Sequence, residues 1–122
     1  MDITSINWNE MEWTPVRHGV DRKAVSGEGA TVALHRLMPG HEPVPHSHPN
    51  EQIAYIVSGT IRFFVGEDEH LVGPGGVIVI PPNVRHWGEV VGDELGEIDH
   101  QIFFFSSRYI CRAVCPTAAV NT

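Results

Sequence analysis

The chain has 122 residues, 42% of them hydrophobic and 19% charged, which suits one soluble domain with a single moderate core. Its formal net charge of -7 has the wrong sign for a phosphate-binding surface, and no Lys/Arg cluster interrupts it, so nucleic acid is not an expected partner. No apolar run approaches the roughly 20 residues that cross a bilayer, so no membrane role is expected. The N-terminus lacks the basic-then-apolar pattern of a secretory signal, which makes the cytoplasm the expected location.

Residues 1–15 carry Trp8, Met11, Trp13 and Pro15 without a strand period. They are expected to form an arm lying over the body of the protein or over a neighbouring subunit. Residues 16–110 read as one β-rich domain. Glycine and proline punctuate short runs of β-branched and aromatic residues, and no longer window keeps a helical period. Strands are expected at 23–25, 31–38, 52–58, 60–65, 69–72, 76–80, 85–91 and 97–105. The fold class is therefore all-β, a sandwich or barrel.

The sharpest local expectation is a hairpin from Gln52 to Val65 about a Ser58-Gly59 turn, with Gly59 taking the positive backbone angle. It would pair Val57 with Thr60, Tyr55 with Arg62 and Ile53 with Phe64. Gln52, Ala54, Ile56, Ile61, Phe63 and Val65 would share one face, apolar except for Gln52. A buried carboxamide needs a partner. The other face, with Ile53, Tyr55, Val57, Arg62 and Phe64, is too apolar to meet water and calls for a cover: the arm, a sheet layer or a subunit. Residues 111–122 read as a weakly docked tail. Its Cys111 and Cys115 could pair or join a metal site, but without further cysteines they are expected to be free thiols.

The chemistry concentrates in His46-Ser47-His48, then Gln52, then His86 behind Pro81-Pro82-Asn83. On a strand, His-x-His directs both rings to one side, and neutral imidazole is the commonest protein ligand for metals. Three imidazoles and one carboxamide oxygen make a four-ligand set for one divalent transition metal. Mn, Fe, Ni and Zn all suit it. Alternation sends Trp87 and Glu51 to the opposite faces from His86 and Gln52. His18, His35, His41 and His70 are expected in loops or at the surface; Arg36 and Arg85 are lesser candidates for binding a substrate carboxylate, with Arg85 expected as a solvated charge.

Gly40, His46, His48, Gln52 and Gly59 resemble the first motif of the cupin superfamily, with Gln52 where that family usually carries Glu. Gly75, Pro81, Asn83 and His86 resemble the second, with Asn83 replacing a glycine and Val90 replacing a final Asn. Asn tolerates the left-handed backbone that the turn requires. The resemblance implies a double-stranded β-helix, the jelly-roll barrel, with one metal at its mouth. His46 to Gln52 together with Ile80 to His86 is most similar to the single-domain cupins of pectin and alginate breakdown, which open the rings of unsaturated uronates. That resemblance implies His46, His48, Gln52 and His86 as ligands, and roles for Phe104 and Arg108 on and beyond the last strand. The acid of that group falls on Ile102 here, with Asp99 and His100 nearby.

Strand period puts His100 on the face of Phe104, which makes His100 the candidate general acid or base. Arg108 is the candidate anchor for a substrate carboxylate. Gln in place of Glu leaves a divalent site at +2 rather than +1, a stronger Lewis acid and a better seat for an anion. The expected function is isomerisation or ring opening of a small acidic or carbonyl substrate such as an unsaturated uronate. An Fe(II)-dependent dioxygenase and a non-catalytic small-molecule binding protein are the alternatives. Small cupins are commonly dimers, and the apolar outer face supports a homodimer.

Overall fold

The computed structural model describes residues 3–28, 30–92 and, as backbone, 100–107. A short 3-10 helix, Trp8–Glu10, precedes the strands β1 Thr14–Arg17, β2 Val20–Ser26, β3 Ala30–Leu37, β4 Gln52–Ser58, β5 Ile61–Val65, β6 Asp68–Val72, β7 Val77–Ile80, β8 His86–Val90 and β9 His100–Ser107. They form a six-stranded sheet in the order β1-β2-β3-β9-β4-β7 and a three-stranded sheet in the order β6-β5-β8. Every ladder is antiparallel. The all-β expectation holds, and no α-helix occurs among the described residues.

The core lies between the two sheets. Val20, Ala33, Leu37, Ala54, Ile56 and Ile80 come from the large sheet and Ile61 and Phe63 from the small one, all fully buried. Period-two alternation produces this division. In β4 the inward set is Gln52, Ala54 and Ile56, while Tyr55 and Val57 are exposed.

β4 and β5 are not partners, which corrects the expected hairpin. β4 pairs with β7 and β9, and β5 pairs with β6 and β8. Gly59 does take a left-handed angle, φ 76, but the chain there passes from one sheet to the other. A hairpin and a sheet-to-sheet corner place the same residues in the core. In the hairpin the apolar faces lie side by side; here they meet across the interior. Ile61 and Phe63 are thus buried as expected, by facing β4 rather than bonding to it.

The arm packs on the outer surface of β2 and β3. Lys23 Nζ donates to the carbonyl of Trp8 at 2.6 Å. Lys23 Nζ and the Arg36 guanidinium lie 4.5 and 4.4 Å from the Trp13 ring centroid, and Arg36 bonds Asp21 at 2.8 Å. Two cations against one indole fix the arm by cation–π attraction. Its described residues do not cover the outer face of β4 and β7, where Tyr55, Val57, Val77 and Val79 are 40%, 37%, 58% and 53% exposed.

Candidate metal centre

The site forms where β4 and β8 begin. The proline-rich connection from β3 to β4 carries His46 and His48 to the starting residues of those strands, Gln52 and His86. His46 and His86 exchange two backbone hydrogen bonds, at 3.1 and 2.8 Å. The Asn83 N–H donates to the His48 carbonyl at 2.7 Å. Asn83 has φ 64, the left-handed angle expected for it, and turns the chain into β8. Three backbone hydrogen bonds therefore place the histidines before any side chain contributes.

One ring nitrogen from each of His46, His48 and His86 lies within 4.8 Å of the other two. Each Nδ1 is 2.8 Å from a backbone carbonyl: Val44 for His46, Asn50 for His48 and Val84 for His86. A carbonyl only accepts, so each Nδ1 carries the proton and each Nε2 keeps its lone pair. His46 Nε2 and His86 Nε2 are buried and have no hydrogen-bond partner. His48 Nε2 is hydrogen-bonded to the Gln52 side chain at 2.9 Å. Buried acceptors left without a partner cost about 1–3 kcal/mol each. One cation among them would satisfy the set. The cluster of His46, His48 and His86 can hold one metal ion.

His46 and His86 are held neutral, as ligation requires. Burial lowers the pKa of His86 to about 4, and the neighbouring His46 and His48 push the same way against the Val84 carbonyl. Burial likewise lowers His46, with smaller contributions from His48 and Arg17. No Asp or Glu joins the cluster among the described residues.

The remaining expected residues divide. Gln52 is 1% exposed and lies beside His48. Trp87 stacks on Phe64 at 4.6 Å on the outer face of the small sheet, and Glu51 is exposed. Phe104 is paired with Ala33 and Ala54, two residues before Ser106, which pairs with Gln52. His100 pairs with Leu37, six residues from Ser106 and about 20 Å along the strand. That separation argues against His100 as the proton carrier at this centre. The register shift between β4 and β9 does not bring it closer, because the extra residue is Val57 of β4 and β9 runs unbroken against β3. Arg108, Asp99, Cys111 and Cys115 lie outside the described residues.

His18 and His70 are exposed as expected and His41 lies in a loop as expected, though buried there; His35 is on a strand and is not a surface residue. His35 is fully buried because it shares the inward parity of Ala33 and Leu37 on β3. His41 is 7% exposed, and its Nε2 accepts the Val90 N–H at 3.1 Å. Sequence reasoning also missed Arg17. Its Nε donates to the Glu42 carbonyl at 2.6 Å, and its charge lowers the pKa of both His41 and His46. No spacing signal marks Arg17, since it meets this region across 25 residues of chain.

A family model for the cupin domain matches residues 33–100. The chain belongs to the cupin family. The matched stretch contains His46, His48, Gln52 and His86. Among solved structures, this cupin is similar to KdgF from Halomonas sp., at 25% identity and a TM-score of 0.74, over 88% of this chain and 96% of that one. An RmlC-like cupin from Shewanella frigidimarina matches at 19% identity and a TM-score of 0.74, covering 87% and 92% of the two chains. The polyketide cyclase RemF from Streptomyces resistomycificus matches at 16% and 0.72, covering 88% and 80%. No curated protein sequence matches the chain.

Proposed function

We propose that this cupin is a metal-dependent enzyme that promotes isomerisation or ring opening of a small anionic substrate of the unsaturated uronate class. The observation that carries the reading is the all-neutral donor set. Three imidazoles have their Nδ1 atoms tied to backbone carbonyls, and the side chain next to them is an amide rather than a carboxylate. Gln52 is the proposed fourth ligand. A divalent ion held this way keeps its full +2 charge, which polarises a carboxylate or carbonyl and favours enolate-type chemistry.

The protein's own residues supply the rest. His46, His48 and His86 arrive preoriented, so little ordering remains to be done on binding. Arg17 adds positive charge near His46, which favours an anion there. Phe104 occupies the strand position beside the Gln52 row, and Arg108 is the proposed carboxylate anchor. The likeness to KdgF, with the resemblance of His46 to Gln52 and Ile80 to His86 to the cupins of pectin and alginate breakdown, supports the substrate class. The same reading takes the protein as a homodimer acting on a soluble metabolite.

The test is direct. Metal-loaded protein is mixed with an unsaturated galacturonate or mannuronate, and loss of the ring's ultraviolet absorbance is followed. The expected result is loss faster than the spontaneous rate, abolished in His86→Ala. A rate equal to the spontaneous one with every metal tried counts against the reading. Oxygen uptake with Fe(II), and none with Zn or Ni, would favour the dioxygenase instead.

A further inference from the structure

We propose that His41 is a positioning residue that clamps the His46 segment against β8 and so sets the metal centre; this rests on the reading of His46, His48 and His86 as metal ligands. The connection from β3 to β4 contains Pro39, Pro43, Pro45 and Pro49. Proline has no N–H to donate, so residues 43 and 45 can only accept. Among the described residues the segment meets β8 at two points.

At its far end, His46 and His86 exchange their two backbone hydrogen bonds. At its near end, the Val90 N–H donates to His41 Nε2 at 3.1 Å. An imidazole nitrogen thus stands where an antiparallel neighbour would offer a carbonyl. His86 and Val90 are the first and last residues of β8. The two attachments therefore hold the segment along the full length of that strand.

The chain is shaped around this ring. Gly19 has φ +75, and a Cβ placed on it would lie 2.7 Å from both Cα and Cβ of His41. The His41 N–H donates to Met38 at 3.0 Å, and the Glu42 N–H donates to His18 at 3.0 Å. Arg17 Nε donates to the Glu42 carbonyl immediately after His41. Nε2 can accept only when unprotonated, and burial with the nearby Arg17 charge favours that form. Without the acceptor, the Val90 N–H is stranded and β8 holds the segment only at His46. The ligand then samples more positions, and the metal is bound less well. Groups that orient metal ligands typically contribute about 10- to 100-fold in affinity.

The test compares Zn2+ titrations of wild type, His41→Leu, His41→Gln, His41→Asn and His46→Ala, with circular dichroism confirming that each is folded. A Gln oxygen reaches as far as Nε2, and an Asn oxygen falls short. The expected result is one ion per wild-type chain, affinity about 10- to 100-fold weaker in His41→Leu and His41→Asn, and near-wild-type affinity in His41→Gln. If His41→Leu does not fold, His41→Asn carries the comparison, and if neither folds, His41→Gln does. Wild-type affinity in His41→Leu or His41→Asn, or no rescue by His41→Gln, overturns the positioning role. Failure of the wild type to bind Zn2+ sinks the ligand reading itself, which separates the two outcomes.

Discussion

His86 ties metal binding to acid stability. Its folded pKa, about 4, lies below the ordinary imidazole value of 6.5. Between those values the unfolded chain takes up the proton and the folded chain does not, so stability falls as the pH drops through that range. For metal-free protein this contribution is complete above about pH 6.5 and is lost by about pH 4. It amounts to at most about 3 kcal/mol. Urea midpoints at several pH values should show a steeper loss in the wild type than in His86→Asn, where the lowered His46 and His41 still contribute, and parallel slopes would contradict a buried neutral imidazole at His86. Gln52→Glu offers a second test. The added charge is expected to hold the metal at least as tightly and to weaken binding of an anionic substrate, read as a raised KM. The histidine cluster was legible in the sequence because His-x-His and the Pro-Pro-Asn turn are local patterns, although His46 and His48 lie in the connection before β4 and not on a strand. The burial of His35 and the contact from His41 to Val90 were not, because both depend on which strands become neighbours.

At the scale of elements, the connection from β3 to β4 is the least regular part of the described chain and the most consequential. Gly19 accommodates it from outside. Gly19→Ala is expected to destabilise the protein by about 1–3 kcal/mol through its left-handed angle and its clash with His41, and to weaken Zn2+ binding with it. Chemical denaturation and the same titration read both, and an unchanged midpoint would contradict the close approach. The strands themselves were legible; β4 was placed to the residue, at Gln52–Ser58. Their partners were not. Ser58-Gly59 suits a hairpin and a sheet corner equally, and only long-range pairing with β9 and β7 decides between them. β1 escaped notice because a four-residue edge strand containing Pro15 has neither length nor period to reveal it.

For the whole molecule, the two sheets bury a common core but leave Tyr55, Val57, Val77 and Val79 in the open on the outer face of β4 and β7. The proposed homodimer would cover them, since contiguous apolar surface of this kind is seldom left to water. Sedimentation should show a dimer for the wild type and a shift toward monomer for a Val77→Lys, Val79→Lys double variant. A monomeric wild type would leave this face without a partner. Cupin architecture alone leaves the reaction open, because one barrel hosts many chemistries, so the functional reading stands or falls with the metal. The most direct measurement is elemental analysis of wild type and His86→Ala after incubation with divalent metals and removal of the excess. One ion per wild-type chain and close to none in the variant is the expected result. A wild type that retains no metal, or a variant that retains it fully, would contradict the assignment of the centre.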